Sequence, residues 1–170
     1  MARLAPSIPD PQPLPGVAQL DLGVLSIRRL RRFGPALPVL PLPTDLAVGR
    51  AARSEDLLLA ASAPGEWLLI GPHATVAEQA GHQPAEQFLA TEVGEAHALV
   101  RLAPPLAGEA LAAYALVDPA VLTSGVATRG RFAEMTALMV PEPDGALLML
   151  VTAADAEHLI ALLALLTTDP

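Results

Sequence analysis

Eighteen prolines and twelve glycines cut this chain of 170 residues into short apolar segments. The longest, residues 146–151 and 159–166, fall far short of the roughly 20 apolar residues that span a bilayer as a helix. No membrane-crossing helix is expected, and a core has to be assembled from many brief elements. Residues 1–16 hold Pro6, Pro9, Pro11, Pro13 and Pro15, a spacing that favours extended chain outside any sheet. They also lack the apolar stretch of a secretory signal, so a cytoplasmic location is the expectation. Residues 1–16 read as a flexible, Pro-rich arm and residues 17–170 as a single domain.

The core has to be aliphatic, because Phe33, Trp67, Phe88, Tyr114 and Phe132 are all the aromatics present. Cysteine is absent, which removes disulfides, thiolate nucleophiles and thiolate metal sites. Lysine is absent too, closing Schiff-base and P-loop chemistry. Charge is unevenly placed. Residues 1–50 carry six arginines against three aspartates, and residues 51–170 carry four arginines against fifteen acids. An acidic body of this kind argues against general nucleic-acid binding.

Apolar residues at even positions suggest a short strand over 17–24. Ile27, Leu30 and Phe33 recur every three residues among Arg28, Arg29, Arg31 and Arg32, which predicts an amphipathic helix over 26–33. Prolines 38, 41 and 43 mark a loop. Residues 56–61 and 67–70 flank the turn signal Pro64-Gly65 and form a hairpin candidate. A helix interrupted at Pro84 is expected over 75–89, then a strand over 96–102 with Ala98, Val100 and Leu102 on one face. Pro104 and Pro105 suit the first turn of a helix over 104–117. Strands over 132–140 and 146–151 surround the turn sequence 141–145, the second of them central and buried. Thr152 with Asp155 three residues on predicts the cap of a last helix through Leu166. Irregular alternation with hairpins favours an α+β class with an antiparallel or mixed sheet and packed helices.

Four segments then carry a resemblance. Residues 63–72 read Ala-Pro-Gly-Glu-Trp-Leu-Leu-Ile-Gly-Pro, similar to a P-x-E-W-L-L-x-G-P segment, and Thr91-Glu92-Val93-Gly94 stands where T-D-V-S is usual. Residues 100–111 resemble an L-x-G-P-x-A-x-x-x-L strand-to-helix step, with Ala103 in place of a glycine. Residues 125–133 resemble G-x-A-x-R-T-R-x-A. In this order and spacing the chain, over roughly residues 50–166, resembles the gamma subunit of heterotetrameric sarcosine oxidases, relatives of the folate-binding aminomethyltransferases. The resemblance implies a shortened aminomethyltransferase-like fold in a non-catalytic assembly subunit. Its partners would be large flavoprotein and folate subunits of a sarcosine or related N-methyl amine oxidase. FAD, covalent FMN, NAD, tetrahydrofolate and zinc would belong to those partners, none to this chain alone, and self-association is open when the chain is isolated. The alternative is a free-standing folate-binding one-carbon transferase.

Tests for intrinsic chemistry point the same way. The aminomethyltransferases carry a G-G-x-x-D-D hairpin whose Asp serves the folate reaction, and residues 135–145 do not match it. His73, His82, His97 and His158 have no metal-ligand spacing, and no serine sits in a Gly-x-Ser-x-Gly setting. Gly125 and Gly130 lack a dinucleotide fingerprint. Glu92 and Glu95 read as a solvated loop face, with a carboxylate pair as the other reading, and Trp67 as core. No catalytic residue and no metal ligand is expected. Arg28, Arg29, Arg31 and Arg32 are the candidate partner-docking residues, the alternative being the wet face of a short helix.

Overall fold

A computed structural model describes residues 13–123 and 125–167. In chain order the elements are β1 (Val17–Gln19), β2 (Leu25–Arg32), β3 (Ala51–Arg53), β4 (Leu58–Ala63), β5 (Glu66–Pro72), α1 (His73–Gly81), β6 (Phe88–Glu92), β7 (His97–Leu102), α2 (Pro104–Tyr114), β8 (Thr128–Phe132), β9 (Met135–Pro141), β10 (Leu147–Thr152) and α3 (Ala156–Thr167). Short 3-10 turns fill some of the gaps between them. The strands form two antiparallel sheets. The first has the order β1-β7-β10-β9-β8 and the second β3-β4-β5-β2-β6.

Side chains alternate across a strand, so a strand buried on both faces must be apolar throughout. Trp67-Leu68-Leu69-Ile70 shows this on β5. Leu68 and Ile70 enter the core between the sheets, while Trp67 and Leu69 enter a second core under α1 and the loop carrying Leu40, Leu42 and Leu46. A third core lies on the outer side of the first sheet. There Ala98, Val100, Leu102, Met149 and Val151 meet Leu106, Ala107 and Ala110 of α2 and Leu159 and Leu163 of α3. The layers therefore run helix pair, first sheet, second sheet, then α1 with its loop. Strand β10 is the middle strand of the first sheet and buried along its apolar length, as expected.

The β4–β5 hairpin turns at Gly65, whose φ of +68° is a conformation side chains rarely adopt. At the other end of β5, Gly71 allows the Asp56 backbone to approach: a Cβ there would run into the Asp56 carbonyl oxygen. Pro104 opens α2 at a position where an amide hydrogen has no helical partner anyway. The Tyr114 hydroxyl donates to the Leu162 carbonyl at 3.1 Å and joins α2 to α3.

Several expectations change. Residues 26–33 are not a helix: β2 runs through them in register with β5 and β6. Ile27 packs between the sheets and Leu30 on the opposite face, a strand parity that happens to fall three residues apart. The helix expected over 75–89 stops at Gly81, and Phe88 and Leu89 begin β6. The strand expected over 132–140 is β9, which starts only at Met135, because Ala133, at φ +49°, makes the turn from β8, whose last residue is Phe132. The helix from Pro104 ends at Tyr114 rather than 117, and the strand expected over 17–24 is limited to β1, since Asp21 and Gly23 form a turn. Thr152 donates its hydroxyl to the Asp155 carboxylate at 2.8 Å instead of capping a backbone amide, and a 3-10 turn precedes α3. Of the Pro-rich arm, residues 1–12 lie outside the described residues. Leu14 packs against the outer core and Gly16 accepts from the Ala103 amide, so the arm's end belongs to the fold.

Candidate functional site

Strand parity divides the four arginines. On β2 the even positions Ser26, Arg28, Leu30 and Arg32 share one face, and the odd positions Ile27, Arg29 and Arg31 share the other. Arg28 donates to Glu92 at 3.3 Å, and the Arg32 guanidinium lies 5.7 Å from the Trp67 ring centroid, within cation–π range. Arg29 and Arg31 are exposed, with no ion-pair partner among the described residues. The four therefore do not form one face.

Glu92 is not one half of a carboxylate pair either. Its carboxylate accepts from the Ser26 hydroxyl at 2.6 Å, from the backbone amides of Ile27 and Gly94 at 3.2 Å each, and from Arg28. Burial pushes the Glu92 carboxyl up, but the bonds from Ser26, Gly94, Ile27 and Arg28 outweigh it and hold it below its ordinary value. This residue ties β2 to the crossover between β6 and β7. His97 is engaged similarly, with Nδ1 2.8 Å from the Val93 carbonyl, and His73 Nε2 is 3.1 Å from the Leu22 carbonyl. Trp67 is core, as expected.

The densest charged cluster lies in the turn after β9. Glu142, its side chain only 9% exposed, accepts from Arg53 at 2.8 Å and from Arg101 at 2.5 Å, while Arg101 also pairs with Asp144. The Ala146 amide and the Arg101 guanidinium hold the Asp144 carboxyl below its ordinary value. Because Arg53 ends β3 and Arg101 lies on β7, Glu142 joins the two sheets. It stands at the edge of a cleft of about 230 Å³ between them, floored by Leu20, Leu58, Ile70, Leu99 and Leu148. In the sequence, residues 141–145 read only as a turn; its two acids, Glu142 and Asp144, are the available signal, but their partners are remote in the chain. Among the described residues, no three metal-ligating side chains converge. Nor does any helix of them have the length and apolarity to cross a membrane.

No protein-family model and no curated protein sequence matches the chain. Among solved structures, a chain of the heterotetrameric sarcosine oxidase from Corynebacterium sp. U-96, solved in complex with pyrrole 2-carboxylate, superposes with a TM-score of 0.69 at 17% identity. The match covers 91% of this chain and 86% of that one. The two chains share a fold. In this chain that fold is mixed α+β, with two antiparallel sheets and three α-helices among the described residues.

Proposed function

We propose that this chain is a non-catalytic assembly subunit of a flavin- and folate-dependent oxidase acting on sarcosine or a related N-methyl amine, with a shortened aminomethyltransferase-like fold. The observation that carries this reading is the coverage of the structural match: nearly the whole of each chain is used, and the matched chain comes from a heterotetramer. The engagement of its polar groups agrees. Glu92 and Glu142 are each held by several donors within the chain, and His97 contacts a backbone carbonyl, so these side chains serve the fold. The large partners would contribute flavin, folate and zinc chemistry.

Purified alone, the chain should be colourless and should oxidise neither sarcosine nor dimethylglycine in steady-state assays. Turnover by the isolated chain would remove the non-catalytic assignment. Tetrahydrofolate binding by the chain alone, measured by calorimetry, would favour the free-standing one-carbon transferase.

A further inference from the structure

Exposed apolar side chains gather at one end of the second sheet. The Phe33 amide donates to the Gln87 carbonyl at 2.8 Å, and the Gln87 side chain accepts from the Ala36 amide at 3.2 Å. One turn earlier, Gln83 accepts from the Val39 amide at 2.9 Å and donates back to the Val39 carbonyl at 2.8 Å. These bonds set Phe33, Leu37 and Val39 around the entry to β6, and Leu89 follows directly on that strand. All four are exposed, Phe33 by 65% and Leu89 by 51%.

The strand beside them is an open edge. Strand β6 has β2 on one side and no strand on the other among the described residues. Its sequence Phe-Leu-Ala-Thr-Glu holds no proline or basic residue, and its register with β2 is unbroken from Phe88 to Glu92. The strand thus carries one charge, Glu92, at its far end, and neither proline nor bulge interrupts the edge. In that register Arg31 lies opposite Leu89 and Arg29 opposite Thr91, on the face that covers Ile27 and Leu68 nearer the middle of the sheet. Both arginines are exposed without an ion-pair partner among the described residues; Glu66 of β5, opposite Arg31 in register, accepts instead from the Ser62 hydroxyl at 3.0 Å.

We propose that the β6 edge, with Arg29, Arg31, Phe33 and Leu89, docks an extended acidic segment of a partner protein that adds as a further strand. Main-chain bonds to the edge would give affinity, and alternate side chains would give selectivity: acids toward Arg29 and Arg31, apolar groups toward Phe33 and Leu89. Charge selects this occupant over a second copy of the chain. Pairing β6 with its own copy would bring Leu89 and Thr91 of both chains together and offer Arg29 and Arg31, one strand in from the edge, no acid from the other copy's β6 on that face. The inference rests on the subunit reading, and it is tested on the isolated chain so that the two fail separately.

The probes are two fluorescein-labelled synthetic peptides, one alternating glutamate with valine and one alternating lysine with valine. Fluorescence anisotropy with the full chain should show saturable binding of the acidic peptide at low salt and none of the basic one. Changing Arg29→Glu with Arg31→Glu, or Leu89→Asp, should weaken binding about tenfold or more, as loss of charge or apolar complementarity does at an interface. Arg129→Glu with Arg131→Glu, exposed on β8, should leave it unchanged. Hydrogen exchange should show the outward-facing β6 amides, those not bonded to β2, gaining protection with the acidic peptide and not with the basic one. No saturable binding, equal binding of the basic peptide, or equal loss from the β8 changes would overturn the proposal. So would a dimer in sedimentation that Leu89→Asp dissolves, which would give the edge to a second copy.

Discussion

Arg53 donates to Glu142 at 2.8 Å from the last residue of β3, and the same carboxylate receives Arg101 of β7, so one side chain holds both sheets. The two arginines are 38% and 35% exposed, which screens their attraction, whereas Glu142 is nearly enclosed. Replacing Glu142→Gln should lower stability by about 1–2 kcal/mol, less than the loss of a fully buried partner. Urea unfolding of the single and double variants with Arg53→Gln measures it. Additive effects in that cycle would show that the two residues are not coupled.

Two glycines should respond in opposite directions to alanine. At Gly71 the new Cβ meets backbone that cannot swing aside, and Gly71→Ala should cost about 2 kcal/mol or more. Gly108 sits exposed within α2 with open space where a Cβ would be, so Gly108→Ala should stabilise by about 0.5–1 kcal/mol. Thermal unfolding of both variants checks the pair, and a stabilising Gly71→Ala would contradict the close approach of Asp56.

Glu92 gives a pH signature. Its carboxyl is lower in the folded chain than in the unfolded one, so it stabilises the fold above the unfolded value of about pH 4.3. That contribution fades as pH falls through the lower folded value. Glu92→Gln should therefore lower stability near neutrality and flatten its decline below about pH 4. Denaturant midpoints across pH 3–7, taken as a range of about four units around the carboxylate pKa, test this. A variant whose acid decline is as steep as the parent's would show that Glu92 is not the group responsible.

Local chemistry carried much of the fold into the sequence. Pro64-Gly65 announced the β4–β5 hairpin, the apolar 146–151 run announced a central strand, and Pro104 announced the start of α2. What stayed hidden depends on remote pairing. Ile27, Leu30 and Phe33 mimic a helical period because the second sheet is covered on different faces at different points along β2. That coverage is set by strands tens of residues away. The same holds for the site: Glu142 was legible only as a turn residue, since Arg53 and Arg101 reach it from 89 and 41 residues away in sequence, the differences of those numbers. Arg28, Arg29, Arg31 and Arg32 were visible as a cluster, but only the register of β2 separates the two engaged guanidiniums from the two free of ion pairs.

On the function proposed above, the chain works as one subunit among larger catalytic ones. Affinity purification of the tagged chain from its native organism, with identification and quantification of what co-purifies, tests it most directly. Large flavoprotein subunits should co-purify in stoichiometric amount, in a complex that oxidises sarcosine or a related N-methyl amine. A chain that purifies without any flavoprotein would contradict it.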